Sequence, residues 1–276
     1  IMEPQLDLAI DCTYADSDMP IQQLYFNVYR QIYIKQGKIR LTVNGANYII
    51  PAGHMFFFSN LDECSLEVLE APYQRYLVTI QPLKIHHILY DSPLMSVFQH
   101  HSAESFPTFD LTDCQEEAET LFEGMTRESA HFRPYRGDYM VSFLQQSLIL
   151  AYRRSAGQFA SYDGRHSSHI YEVKKYLEEH CLEDIEVKEL AEQFYISVYY
   201  LSHSFKSMTG YSPKQFLLMN RLSYAKDLLW NTKKPIAQIA VECGFGNANN
   251  FIRAFKKHTG AAPGKFRSST TSGNQL

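Results

Sequence analysis

The 276-residue chain reads as a multidomain α+β protein. A small antiparallel β-barrel with helices behind it precedes an all-α domain built from one unit used twice. Three observations lead there. Short β-rich runs separated by turn signals fill residues 20–82, and a helical period takes over from Thr112. Close to the C-terminal end the line F-K-x-x-T-G-x-x-P-x-x-F is written twice, as FKSMTGYSPKQF (205–216) and FKKHTGAAPGKF (255–266). A repeat at fixed spacing marks one supersecondary unit used more than once.

Composition sets the outer bounds. A hydrophobic share of 45% with 14% aromatics is ample for two cores, and the length suits two ordinary domains. No apolar run reaches the roughly 18 residues that a membrane span needs. The opening IMEPQLDLAIDCTYADSD carries acids where a secretory leader carries basic residues and an apolar stretch, so no leader is expected and the chain reads as cytoplasmic. The five cysteines are scattered and never form C-x-x-C, which argues against a disulfide framework and a structural zinc site. The net charge of −4 conceals a split: −8 over residues 1–167 and +4 over residues 168–276. From Ser197 onward 11 basic residues face only Asp227 and Glu242. That asymmetry points to a basic segment that meets a polyanion beside an acidic companion domain.

The β-rich runs are LYFNVYRQIYI (24–34), KIRLTV (38–43), NYII (47–50), MFFF (55–58) and YLVTI (76–80). NGAN at 44–47 is a hairpin signal, because Asn-Gly suits the positive φ values of a type I′ turn. Strands this short and close predict a small barrel or sandwich. DCQEEAETLFEGMTRESA (113–130) and GDYMVSFLQQSLILAYRRS (137–155) are helical in composition. In the second, Val141, Leu144, Leu148 and Ala151 form one stripe, which Met140, Phe143 and Leu150 widen. That breadth predicts a second partner for the helix, a dimer interface containing Leu144 and Leu148, the alternative being a helix that only caps the barrel. SAGQFASYDGRHSS (155–168) has no period and reads as a linker. The expected organisation is therefore 1–111 for the β domain, 112–156 for a helical dimerisation segment, 157–168 for the linker and 169–276 for the C-terminal domain.

In the first copy of the repeat, Ser197 stands where its hydroxyl can cap a helix, Leu201, Phe205 and Met208 share one face, and Gly210 is the stop. In the second, Asn247, Phe251 with Phe255, and Gly260 take those places. Ser212-Pro213 and Ala262-Pro263 open the following helices, where proline's missing N–H is harmless. Upstream lie VKELAEQF (187–194) and IAQIAVEC (236–243), each a short helix with a small alanine that lets a neighbour approach. Helix, tight turn, helix is the helix-turn-helix, whose second helix enters the DNA major groove.

GFGNANNFIRAFKKHTGAAPGKFR, preceded by IAQIA, resembles the signature of the AraC-type transcription factors. LAEQFYISVYYLSHSFKSMTGYSPKQFLLMNRLSYAKDLL resembles that family's first helix-turn-helix and connecting helix. The resemblance covers Ser168 to Arg267 without a gap. It implies two recognition helices held by one central helix and reading successive major grooves, with double-stranded DNA and RNA polymerase as partners. The 18 residues from Pro213 to Trp230 span about 27 Å as a helix, comparable with the ~34 Å turn of DNA. Leu218, Leu222, Ala225 and Leu229 give that helix a buried stripe.

On the second recognition helix Asn249, Arg253 and Lys256 lie opposite the apolar face. Asn suits adenine and Arg suits guanine, each through two hydrogen-bonding groups, and the resemblance places Asn249 and Arg253 against bases. The corresponding positions on the first helix are Tyr199, Ser202 and His203, a departure from the commoner Arg-bearing pattern. Base readout there is expected to be weaker or more apolar. Lys206, Lys214, Lys256, Lys257 and Lys265 are expected on phosphates, which position the protein without specifying sequence.

The β domain resembles the family's cupin-like sensor, with a small-molecule effector and a homodimer implied. No cofactor is expected. Metal-holding cupins carry His-x-His, Glu and a further His, whereas His54 has no partner histidine and the pairs His86-His87 and His100-His101 lie outside the expected barrel. Adjacent strand residues point to opposite faces, so a His-His dipeptide chelates poorly. Arg30, Arg40 and Arg75 are the odd charges in apolar runs, with Tyr25, Tyr33 and Tyr48 as aromatic neighbours, a set that suits a sugar. Phe56, Phe57 and Phe58 would instead suit an aliphatic ligand, and the sequence leaves both open. The sequence thus describes a ligand-responsive DNA-binding activator or repressor and not an enzyme. Its rivals are a cupin-type metal enzyme fused to a DNA-binding tail, and a regulator with no ligand.

Overall fold

The computed structural model describes residues 9–16, 28–43, 45–59, 61–62, 64–81, 93–98, 106–159 and 167–271. Tyr25, the pairs His86-His87 and His100-His101, and linker residues 160–166 lie outside them. The chain divides into two compact units at residues 165 and 166.

The first unit is one antiparallel sheet backed by two helices. Its strands are β1 (Ile10–Asp16), β2 (Tyr29–Val43), β3 (Ala46–Pro51), β4 (His54–Phe58), β5 (Cys64–Ile80) and β6 (Thr108–Asp110). The pairing order is β1-β5-β2-β4-β6, with β3 on β2, so β1 and β6 are the ends of the sheet. The runs 24–34 and 38–43 of the sequence reading are one strand from Tyr29 onward, and 76–80 is the last part of a 17-residue strand. These two long strands pair along their whole length, with register shifts between Ile34 and Ile39. Gly37 sits in that stretch at φ 95°, and a Cβ there would come within 2.6 Å of the Pro72 carbonyl oxygen, so the irregular crossing needs glycine. Beyond it the C-terminal half of β2 exchanges β4 for β3 as its neighbour.

Both faces of the sheet are buried. On one, Tyr29, Tyr33, Met55, Phe57, Tyr76, Val78 and Ile80 meet the helices α1 (Gln115–Ser129) and α2 (Arg136–Arg154). Tyr33 and Tyr76 stack on Phe122 of α1 at 5.2 and 5.6 Å. The other face gathers Ile32, Ile34, Ile39, Leu41, Ile50, Phe56, Phe58 and Tyr73. Val141, Leu144, Leu148 and Ala151 form the expected stripe of α2, but Met140 and Leu150 are buried in the same core. Leu144 and Leu148, at 0% and 1% exposure, therefore cannot be the surface of a dimer. The outward apolar groups of α2 are Tyr139, Ile149 and Tyr152.

The second unit is all helix: α3 (Ser167–Glu179), α4 (Val187–Gln193), α5 (Val198–Thr209), α6 (Pro213–Asn231), α7 (Ile236–Glu242), α8 (Ala248–Thr259) and α9 (Pro263–Thr271). The 19-residue α6 packs against α3 and α5 and also against α7 and α9. It opens on a capping box: the Gln215 N–H donates to the Ser212 hydroxyl and the Ser212 N–H to the Gln215 side chain, with Pro213 in the first turn. Leu222, Ala225 and Leu229 are buried as expected, and Leu218 is half-buried against the same cluster. Wedged between two layers, α6 buries Phe216, Leu217 and Asn220 as well. Among the described residues no helix is long and apolar enough to cross a membrane.

Candidate nucleic-acid interface

The pairs α4/α5 and α7/α8 are two helix-turn-helices made by the same local chemistry. The Ser197 hydroxyl accepts the Tyr200 N–H at 3.1 Å to start α5, and the Asn247 side-chain oxygen accepts the Asn250 N–H at 2.8 Å to start α8. Leu201 and Phe205 are fully buried in α5, Phe251 and Phe255 in α8. The hydroxyls of Thr209 and Thr259 donate to the carbonyls of Phe205 and Phe255, each at 2.8 Å. Gly210 and Gly260 end the helices at φ 79° and 75°. Phe216 and Phe266 then fold back edge-on to Phe205 and Phe255, both at 5.3 Å. The duplicated line of sequence is a duplicated set of contacts.

The turns differ. In the first, Tyr195 occupies the left-handed region at φ 54° and is 95% exposed. In the second, which is one residue longer, Gly244 stands at φ 73° against the loop that follows α3. A Cβ on Gly244 would overlap the Leu182 carbonyl oxygen and lie 3.1 Å from the Arg221 Nε. Arg221, from the middle of α6, donates to the Cys181 carbonyl at 2.7 Å and to that of Glu183 at 2.5 Å. Central helix, entry loop and second turn thus meet at one junction. Burial there pushes the Cys181 and Cys243 thiols up, Cys243 to about 12, so both are neutral packing groups. The sequence placed Gly244 in the tight turn but did not mark Arg221, because a loop carbonyl from another element leaves no periodic signal.

The expected DNA contacts all lie on the outer side. Asn249 and Arg253 are exposed one turn apart on α8, and a guanidinium nitrogen of Arg253 donates to Asn250 Oδ1 at a long 3.4 Å. On α5, Tyr199 is 81% exposed and stacks on His203 at 6.1 Å, while Ser202 is half-buried. Lys206, Lys214, Lys256, Lys257 and Lys265 are exposed, and among the described residues none of the five is in an ion pair. Lys188 and Lys234, by contrast, pair with Glu192 and Glu242; the Lys234 bond lowers the Glu242 pKa and raises that of Lys234. Lys233, outside any helix and so invisible to periodicity, is a further exposed lysine without an ion pair.

The residues expected on a ligand in the first unit do not all share a face. Directly opposed residues of an antiparallel pair lie on one side of the sheet. Ile34 faces Arg75, Ile32 faces Leu77 and Phe56, and Arg30 faces Phe58, so Arg30 and Arg75 sit on the side away from α1 and α2. They are 4% and 7% exposed, and the Arg75 guanidinium lies 4.4 Å over the Tyr73 ring. Tyr48, opposite Leu41, joins that side 5.4 Å from Phe106. Tyr33 and Phe57 lie on the other face, where strand alternation turns both towards the helices. Arg40 is exposed opposite Ile49 and ion-paired with Glu67, apart from both groups. The His54 ring lies 3.2 Å from the Ala52 carbonyl, and among the described residues no three His, Cys, Asp or Glu side chains gather as metal ligands would.

Known proteins resemble this chain in the same places. A family model described as a helix-turn-helix domain matches residues 190–269. The probable transcriptional regulator LumQ of Photobacterium leiognathi is 33% identical over 95 residues, 34% of this chain and 38% of LumQ, so the match spans well under half of that relative. The Msm operon regulatory protein of Streptococcus mutans is 24% identical over 237 residues, 85% of this chain and 82% of that protein. Among solved structures, ToxT from Vibrio cholerae superimposes with a TM-score of 0.58 at 14% identity, over 94% of this chain and 97% of ToxT, a likeness of fold. Residues 190–269 therefore carry an AraC-type helix-turn-helix domain of the kind found in these transcriptional regulators.

Proposed function

We propose that the protein is a sequence-specific DNA-binding regulator that acts by binding and not by catalysis, and that its first unit responds to a small molecule. The observation that carries the DNA reading is the pair of identically capped helices, each presenting an uncovered outer face flanked by unpaired lysines. Base contacts fall to Asn249 and Arg253 on α8 and to Tyr199, Ser202 and His203 on α5. The five lysines hold phosphates. Selecting duplexes from a random-sequence pool with the full-length protein tests this: one enriched sequence is expected, and a pool that stays random contradicts it.

The effector face we assign is that of Arg30, Arg75, Tyr48 and Tyr73. Its neighbours Ile32, Ile34, Phe56, Phe58 and Leu77 are apolar, which favours a ligand with an apolar body and a polar or anionic head over a sugar. ToxT, whose fold is shared, has been solved with an unsaturated fatty acid bound. Thermal-shift measurements against long-chain carboxylates and free sugars separate the two. Stabilisation by carboxylates that is lost in Arg75→Met supports the assignment, and stabilisation by sugars alone reverses it.

Dimerisation through the outward face of α2 is part of the same proposal, with Tyr139 and Ile149 exposed beside a groove of about 470 Å³ lined by Leu121, Phe143 and Leu150. Tyr139→Glu with Ile149→Glu is expected to give a folded monomer in sedimentation. A wild-type protein that is already monomeric removes the interface.

A further inference from the structure

The two reading helices superpose in sequence at a spacing of fifty, and that register isolates one difference. Cap, buried aromatics, threonine and terminal glycine coincide. At the outward positions Asn249 is matched by Tyr199, Arg253 by His203, and Ile252 by Ser202. Both groups able to make two parallel hydrogen bonds to a base edge on α8 are replaced on α5 by rings. Those rings stack on one another at 6.1 Å with an interplanar angle of 18°. Tyr199 is 81% exposed, and the preceding Val198 is 44% exposed. Both lie in the first turn, the part of a recognition helix that reaches base edges. Apolar side chains are thus left uncovered at the start of α5, where α8 presents Asn249.

The chemistry of the major groove limits what such a surface can recognise. Base edges there offer hydrogen-bond donors, acceptors and one apolar group, the C5 methyl of thymine. A phenol ring lacks the paired donor and acceptor that adenine or guanine requires, but it makes van der Waals contact with a methyl. Given the DNA-binding reading above, on which this rests, we infer that α5 recognises thymine methyl groups through the Tyr199 ring, supported by Val198 and His203. The two helices then read by different means: α8 by hydrogen bonds to purines, α5 by apolar contact in a thymine-bearing half of the site.

Replacing thymine by deoxyuridine removes the methyl and keeps every hydrogen-bonding group, so the test can be made on the DNA. The full-length protein is titrated at one salt concentration with the duplex enriched from the random pool, each thymine replaced singly. One or two replacements are expected to weaken binding about fourfold each, the worth of one buried methyl. Tyr199→Ala should bind the thymine and deoxyuridine duplexes alike, whereas Tyr199→Phe should keep the discrimination. No methyl-sensitive thymine, or a sensitivity that survives in Tyr199→Ala, overturns the inference. Equal weakening of Tyr199→Phe on enriched and scrambled DNA also overturns it, by making the hydroxyl a phosphate contact. A pool without any enriched sequence instead sinks the DNA-binding reading itself.

Discussion

The first and second helix-turn-helices share one scaffold and differ in what surrounds it. Ser197 and Asn247, Phe205 and Phe255, Thr209 and Thr259 do the same work at nearly the same distances. The turns do not. Tyr195 tolerates a left-handed backbone because its side chain has open solvent around it, at a strain of roughly 1–2 kcal/mol. Gly244 has no such freedom, since the Leu182 carbonyl occupies the space a side chain would need. Packing against the rest of the domain, and not the motif itself, decides where glycine is obligatory. The outer faces differ as well, with rings on α5 where α8 carries Asn249 and Arg253. The interior is thus held to one solution, while the surface is left to diverge.

Equivalence of the interiors is tested by the largest effects. Phe205→Ala and Phe255→Ala each remove a fully buried ring and are expected to cost about 3–5 kcal/mol in denaturant unfolding of the fragment 166–276. A difference above about 2 kcal/mol between them would show that the two scaffolds are not equivalent. The turns come next. Gly244→Ala should cost on the order of 3 kcal/mol, combining backbone strain with a rigid carbonyl clash, while Tyr195→Ala should stay within about 1 kcal/mol of wild type. Equal costs at both turns would remove the distinction drawn between them.

Smaller still are the effects at the outer faces. Arg253→Ala is expected to lose about 1–3 kcal/mol on the enriched duplex and almost nothing on scrambled DNA, relaxing preference at one or two base pairs. Lys257→Ala should weaken both duplexes alike and make the salt dependence shallower by about one phosphate. Equal losses on both DNAs for Arg253→Ala would move it to the phosphate set and leave Asn249 as the reader on α8.

The second unit was legible in the sequence because caps, stop glycines and prolines act locally: Ser197, Gly210 and Pro213 each mark their own position. The first unit was harder for a definable reason. Its sheet is buried on both faces, so YRQIYI alternates between two apolar environments and the pattern cannot say which side Tyr33 or Arg30 takes. The register shifts after Ile34 disguised one long strand as two, and the three-residue β6 is too short to carry a period. The breadth of α2 was real, but Met140 and Leu150 spend it inside their own domain. Contacts between distant segments, such as Arg221 on the Cys181 carbonyl, leave no trace in either sequence neighbourhood.

The central claim, that two unequal helices read DNA within a frame of lysine–phosphate contacts, is tested most directly by the salt dependence of binding. The full-length protein would be titrated with enriched and scrambled duplexes across a salt series. Five phosphate contacts from Lys206, Lys214, Lys256, Lys257 and Lys265 predict a slope of log affinity against log salt of about −4.5. Tighter binding of the enriched duplex at every salt concentration is expected alongside it. A flat dependence, or equal affinity for the two DNAs, would contradict the account.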